Sequence, residues 1–201
     1  MKIAVLLPIY RSARWQFVDS LAKMLVFSSR LSINFRGVAG PPEIEVFTAS
    51  GALIAYSRNY LADQALKWGA DGLLWLDDDH VFPADALARL LRHDKPIMAA
   101  NYVRRQEGGA PTAEKNGEPV WTTKEKAEAG ACEEVHLVGM GVCFMVADAL
   151  RKIEAPYFGG DYEDVYLCNK LRAAGVPLYI DHALSWASSH IGEHGFGFQS
   201  R

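Results

Sequence analysis

The stretch Leu73-Leu74-Trp75-Leu76-Asp77-Asp78-Asp79-His80 runs four apolar residues straight into three carboxylates and an imidazole. The apolar part follows Gly72 and is too short for a helix. A short continuous run bounded by turn residues predicts a strand buried on both faces. The acids then stand where that strand emerges, and in open parallel sheets the ligand crevice lies outside the carboxyl ends of the strands. Three adjacent carboxylates repel one another. A hard divalent cation such as Mg²⁺ or Mn²⁺ removes that repulsion, prefers oxygen ligands, and is commonly held by one or two carboxylates plus substrate phosphates. The stretch therefore reads as a metal–diphosphate site at a strand end. The plainer alternative is an acidic turn ahead of a helix begun by Pro83, with Asp85 in its first turn, for which one acid would suffice.

Upstream, a helix is predicted from Ala55 to Trp68, with Leu61, Ala65 and Leu66 on its apolar face and Gly69-Ala70-Asp71-Gly72 stopping it. Before it, Ile44 to Thr48 alternates like a strand after the loop Gly40-Pro41-Pro42. From Trp15 to Arg30, Phe17, Val18, Leu21, Leu25 and Val26 recur at helical spacing, and Ile3 to Ile9 reads as a first buried strand. Downstream, Pro83 to His93 is a second amphipathic helix and Ile97 to Tyr102 a strand, with Arg104-Arg105 just past its end. This alternation of strands and helices predicts a largely parallel sheet.

The pattern then changes. Gln106 to Gly130 is a polar excursion, with a short strand expected at Val120-Trp121. Val135 to Ala147 is strand-like, interrupted by Gly139-Met140-Gly141, where glycine permits a bulge or a close backbone approach. Asp161 to Ala174 is a helix, capped by Gly175 and followed by Pro177. Leu178 to Ile180 is a strand, Leu184 to Ser188 leads to His190, and the glycine-bearing tail Gly192 to Arg201 is expected to be flexible. No repeat or linker divides the chain, so residues 1–201 are expected to form one domain.

Half of the 201 residues are hydrophobic, enough for a substantial core. A net charge of −3 without a basic run argues against a nucleic-acid partner. The three cysteines form no CxxC pair; Cys143 and Cys168 lie in apolar stretches, as inert thiols in a reducing compartment do. No apolar run approaches a membrane span, and the N-terminal apolar run is short and broken by Pro8. A soluble cytoplasmic protein is the expectation.

The order of these features resembles the GT-A glycosyltransferases of the family 2-like group. The resemblance is carried by Leu6-Leu7-Pro8-Ile9-Tyr10, by Ser57-Arg58-Asn59, by Asp77-Asp78-Asp79 as a DxD motif, by Gly139-Met140-Gly141, by Tyr162-Glu163-Asp164 and by His190-Ile191-Gly192. It implies a Rossmann-like GT-A fold, α/β, with a mostly parallel central sheet and helices on both faces. It also implies transfer of a sugar, with inversion, from a nucleotide-diphosphate donor such as a UDP-sugar to a hydroxyl acceptor that is a glycan, a protein or a small molecule. Asp79 would ligate Mn²⁺ or Mg²⁺ directly, with Asp77 sharing the site and His190 completing the shell; His182 and His194 are nearby competitors. Pro8, Tyr10, Arg11, Arg58, Asp77, Asp78 and Arg104 would hold the donor, Arg105 being a weaker candidate. Asp164 would be the general base, with Glu163 as its understudy. One departure stands out: where the family often carries an acidic turn that grips the nucleoside, this chain has Thr48-Ala49-Ser50-Gly51.

Each role has a competing reading in the residues themselves. Alternate residues of an extended segment point the same way, so Asp77 and Asp79 would both face a diphosphate. Asp161 with Asp164 three residues on equally suits a helix cap. A sugar-1-phosphate nucleotidyltransferase would place a glycine-rich loop after the first strand, and Pro8 to Arg14 has arginines but no glycine. A non-catalytic metal- and sugar-binding module would keep Asp79 and need no base.

Overall fold

The computed structural model describes residues 1–51, 53–105, 109–192, 195–196 and 198. From the N-terminus come β1 (Lys2–Ile9), α1 (Trp15–Ser28), β2 (Ile33–Phe35), β3 (Val38–Gly40), β4 (Glu43–Ser50), α2 (Ile54–Trp68), β5 (Gly72–Leu76) and β6 (His80–Val81). Then follow α3 (Ala86–Leu91), β7 (Ile97–Ala99), β8 (Glu114–Lys115), β9 (Glu118–Pro119), α4 (Lys124–Glu128), β10 (Cys132–Val135), β11 (Val142–Val146) and α5 (Ala147–Arg151). The chain finishes with α6 (Glu163–Ala173), β12 (Leu178–Asp181), α7 (His182–Ala187), β13 (Ser189–Ile191) and β14 (Gly195–Phe196).

Among the described residues the central sheet runs β10-β12-β7-β11-β5-β1-β4. β4, β1, β5, β7 and β12 share one direction; β11 and β10 oppose it. Leu73, Leu74, Trp75 and Leu76 of β5 are all fully buried, so both faces of this strand are covered. Each such side chain contributes about 1.5–3 kcal/mol relative to an exposed one, which is why the run behaves as a strand at the centre of the sheet. β4 lies at the rim and keeps Glu43 and Glu45 exposed, a charge pattern that discourages edge-to-edge pairing. α2 packs on β1 and β4, and α3 on β7 and β11. Gly69 ends α2 at φ 82°, a left-handed position where a side chain would be strained.

Several expectations are corrected. Val135 to Ala147 is not one strand. Val135 ends β10, which begins earlier at Cys132 on the sheet's far edge; His136 to Gly141 belongs to neither strand; and Val142–Val146 forms β11, which inserts antiparallel between β5 and β7. A run with buried residues at both ends looks continuous in sequence even when its two halves join different neighbours. The predicted helix from Pro83 shrinks to Ala86–Leu91, because Asp85 binds the Arg89 guanidinium at 2.9 Å and gives no side-chain cap. Val120-Trp121 is no strand. The stretch holds instead a hairpin turning at Asn116 and Gly117 and the short helix α4, capped by Thr123. Leu184 to Ser188 falls largely within α7, which the Asp181 carboxylate caps through the Leu184 N–H at 2.8 Å. Within the tail expected to be flexible, β14 pairs on β13 and Phe198 is buried, while residues 193, 194, 197 and 199–201 lie outside the described residues.

Candidate active site

β1 and β4 end side by side, Ile9 opposite Ser50, and β5 ends next to β1. Their carboxyl ends form the floor of a cavity of about 330 Å³. Pro8, Ile9 and Tyr10 line it from the end of β1, Gly51, Ile54, Ser57 and Arg58 from the entry and first turns of α2, and Asp77 to His80 from the end of β5. Tyr102, Arg105, Glu163 and His190 complete the wall.

The three acids do not lie on an extended segment. The His80 N–H donates to the Asp77 carbonyl at 3.3 Å and closes a turn, so the carboxylates point to different partners. Asp77 takes both its oxygens to Nη2 of Arg58, at 2.9 and 3.1 Å. Asp78 is raised in pKa by partial burial and by the charge of Asp79, against the opposing pull of the Tyr10 backbone N–H. Asp79 turns towards two imidazoles. The alternation argument for placing Asp77 and Asp79 together therefore fails at this turn.

Asp79, His80 and His190 offer ligand atoms that all lie within 4.8 Å of one another. β6 and β13 pair with His80 opposite His190, and the two rings stack at 4.4 Å. His190 Nδ1 lies 3.3 Å from the Val103 carbonyl, the usual way of orienting an imidazole so that Nε2 is left to bind. That Nε2 stands 3.3 Å from Asp79 Oδ2. His80 is 1 % exposed; its Nδ1 lies 2.9 Å from Asp79 Oδ1 but out of line for a hydrogen bond, and its Nε2 has no partner. Burial pushes the His80 pKa down, keeping the ring neutral and its lone pair available. Burial would raise Asp79, but His190 and His80 override it and hold the carboxyl well below the usual carboxylate range. An ionised carboxylate, two neutral-capable imidazoles and a buried ring nitrogen without a partner fit a divalent cation. Imidazole nitrogen suits Mn²⁺ better than Mg²⁺.

The glycine-bearing turn before β11 makes this packing possible. A Cβ on Gly141 would stand 2.6 Å from His80 Nε2, and one on Gly139 would collide with the Tyr102 hydroxyl. The Gly141 N–H donates to that hydroxyl at 3.2 Å, and Tyr102 stands edge-on to His80 at 4.3 Å. The close backbone approach expected of Gly139-Met140-Gly141 is what the structure uses.

Beside the imidazoles lies a second cluster around Arg58, which is 2 % exposed. Its Nε faces Glu163 Oε1 at 3.4 Å, and its guanidinium sits 5.7 Å from the Trp75 ring and 5.8 Å from Phe158. Burial works against its charge, but Asp77, Asp164 and Glu163 together offset this and keep it protonated. With these bonds made, Arg58 holds the acids in place, and only Nη1 lacks a protein partner. Asn59, the next residue, binds the Phe158 carbonyl at 2.7 Å and accepts from the Tyr157 N–H at 2.8 Å, pinning the loop that leads into α6. Asp164 is pushed up to about 7 by burial, with Glu163 and Asp77 adding to the effect and Arg58 opposing it. α6 starts at Glu163 with no side-chain cap from Asp161, so the capping reading of these acids is not realised.

Of the other anticipated residues, Pro8, Tyr10 and Asp78 reach the cavity. Arg11 stacks on the Tyr10 ring at 5.1 Å. Arg104 turns outward to Glu114 at 3.9 Å, while Arg105 enters the cavity and meets Asp79 Oδ2 at 3.1 Å. The bridge of Val103 to Pro111 sets this orientation, placing the cleft arginine one residue later than expected. His182 is buried against Thr122 and Glu133 and stands apart from this group; His194 lies outside the described residues. His80 was not anticipated as a ligand, although it directly follows Asp79.

No protein-family profile matches the sequence, and no curated protein does. Solved structures do. A197 from STIV superposes with a TM-score of 0.70 at 19 % identity, over 100 % of this chain and 92 % of that one. GalNAc-T7, solved with UDP, GalNAc and Mn²⁺, superposes with a TM-score of 0.57 at 8 % identity, over 91 % of this chain and 43 % of that one. The chain thus has the α/β fold of the GT-A glycosyltransferases, as its motif order implied. Among the described residues no helix is long and apolar enough to cross a membrane.

Proposed function

We propose that this chain is a metal-dependent glycosyltransferase that moves a sugar from a nucleotide diphosphate to an acceptor hydroxyl. The observation that carries this reading is the convergence of Asp79, His80 and His190 on one point of the cleft, with His80 buried and its Nε2 unpartnered. These three residues would hold Mn²⁺ or a similar ion, which supplies charge neutralisation for a departing diphosphate. Arg105, whose side chain is 45 % exposed, pairs with Asp79 and is placed to turn to phosphate oxygens. Tyr10 and Pro8 border the space left for the nucleoside. A UDP-sugar is the first donor to try, because GalNAc-T7 of the same fold was solved with UDP.

The acceptor proton goes to the Glu163–Asp164 pair. Glu163 faces the cavity, and Asp164 behind it carries a pKa near 7, suited to a base at neutral pH. As the acceptor oxygen bonds to the anomeric carbon, the bond to the diphosphate breaks and the nucleoside diphosphate leaves, which inverts the anomeric centre. We read residues 1–201 as one catalytic unit, and the buried free thiols Cys143 and Cys168 support a reducing compartment such as the cytoplasm.

Calorimetry of UDP with and without Mn²⁺ tests the proposal. We expect Mn²⁺ to tighten UDP binding at least tenfold, and Asp79→Ala to erase that difference. Equal UDP affinity in Mn²⁺ and in EDTA for the unaltered protein would refute the metal reading.

A further inference from the structure

We propose that the outer face of α1 is a self-association surface, on which a second copy of this chain docks antiparallel. α1 carries large apolar residues on its outer face as well as on its inner one. Its inner face is: Phe17, Ser20, Met24 and Ser28 are buried. Its outer face is not. Trp15 is 73 % exposed, Val18 49 % and Val26 52 %.

This face carries both a knob and a hole. Trp15 projects at one end. At the other, a groove of about 380 Å³ is lined by Ala22, Lys23, Val26, Phe27, Arg30 and Ala84. Asp19 stands between them and pairs at 2.6 Å with Lys23 on the groove's near rim, both well exposed. A two-fold axis passing in front of the outer face, at the level of Leu21 along the helix, exchanges position 15 with 27 and 19 with 23. It lays the Trp15 of each copy against the groove of the other, and sets each Asp19 beside the other copy's Lys23. A parallel arrangement would instead bring Asp19 to Asp19 and Lys23 to Lys23. The charge pattern therefore selects the antiparallel dimer, and the isologous contact closes without leaving a further face open. Ala22 stands next to the axis, where a small side chain lets two helices approach closely. The helix is about 21 Å long at 1.5 Å per residue, so the contact falls below the size of a standard interface and gives a weak dimer, of micromolar strength.

Sedimentation equilibrium from about 1 µM to about 500 µM tests this on the unaltered chain. We expect the mass to rise from 22.2 kDa towards twice that value. Trp15→Ala and Val26→Glu are expected to hold the protein at the monomer mass. Asp19→Lys or Lys23→Asp alone is expected to weaken association about fivefold, and the two together to restore it. Circular dichroism melts on each variant check that the fold is kept. A constant monomer mass overturns the proposal, as does a double charge swap that fails to recover association. Co-sedimentation with phosphatidylglycerol vesicles, lost in Val26→Glu while the protein stays monomeric in solution, would assign the face to a membrane and overturn it too.

Discussion

Two networks of buried polar side chains can be set side by side, one in the cleft and one beside β12 and α7. In the second, Asp181 is fully buried, and its oxygens take the Leu184 N–H at 2.8 Å and the Arg92 guanidinium at 2.9 Å. His182, also fully buried, has Thr122 Oγ1 on one ring nitrogen at 2.9 Å and Glu133 Oε2 on the other at 3.1 Å. Asn101 binds the Val120 carbonyl at 2.6 Å and accepts from the Ala113 N–H at 3.0 Å. These bonds tie the polar excursion to the sheet. In the cleft, by contrast, His80 Nε2 and Arg58 Nη1 have no hydrogen-bond partner, and His80 Nδ1 meets only the Asp79 carboxylate. A buried network whose groups are paired serves stability. One whose ligating atoms converge on a single point is suited to hold a cation, and such a site is commonly kept at a cost to the fold.

The largest effect that tests this contrast is catalytic. Asp164→Asn and Glu163→Gln are expected to slow transfer, or donor hydrolysis if no acceptor is found, by about 10²–10⁴-fold, with UDP affinity little changed. A variant of either residue that turns over normally would remove it from the base pair and leave the role to the other. Next comes a matched pair of histidine variants. His182→Leu leaves the buried Thr122 hydroxyl without its ring partner and takes one bond from Glu133, which keeps Lys126; it is expected to cost on the order of 2 kcal/mol, read as a melting temperature lower by several degrees, with Mn²⁺-linked UDP binding intact. His80→Leu removes an unpartnered Nε2 and one contact to Asp79, so we expect a smaller loss of stability than for His182→Leu together with loss of the Mn²⁺ effect. If both variants melt equally low, the distinction between the networks collapses.

The smallest effect is in pH. Asp164 has a folded pKa near 7 and an unfolded value of about 3.9. Its folded value is raised, so its contribution to stability is complete below about 4 and is lost as pH rises through 7. Asp79 has the opposite sign: its folded value is depressed, so its contribution is present above its unfolded pKa and fades in acid. Activity that depends on ionised Asp164 should rise over the range where its stability contribution falls. Comparing melts of Asp164→Asn and the unaltered chain from pH 5 to pH 8 should show the difference narrowing or reversing as pH rises; parallel curves would argue against the raised pKa.

Much of the parallel half of the sheet was legible in the sequence because it is written locally. Buried runs such as Ile3 to Ile9 and Leu73 to Leu76, and the glycine stop after Trp68, decide their structure from neighbours a few residues away. A place on the cleft was legible where a residue stands at the end of an element, as with Asp79 after β5 and Glu163 at the start of α6. It was not legible where direction depends on partners distant in the chain. The turn at Asp77 to Asp79 sends Asp77 to Arg58 on another element, and the backbone bridge at Val103 turns Arg104 out and Arg105 in. His80 gained its place from pairing with β13, more than a hundred residues later, which no local pattern encodes. The hairpin at Asn116-Gly117 is a different case: the dipeptide is a strong local turn signal, and the surrounding polar composition hid it.

The placement of β11 between β5 and β7 also has a kinetic consequence. β5 can pair with β1 as soon as both are made, but its other edge stays open until β11, far later in the chain, folds back antiparallel. β6 waits longer still, for β13. Contacts of such long sequence separation form slowly, and during synthesis the apolar flank of β5 is exposed until residue 146 has emerged. The cleft is thus among the last parts of the molecule to assemble, and a nascent chain arrested before β13 can have a nearly complete sheet while lacking His190.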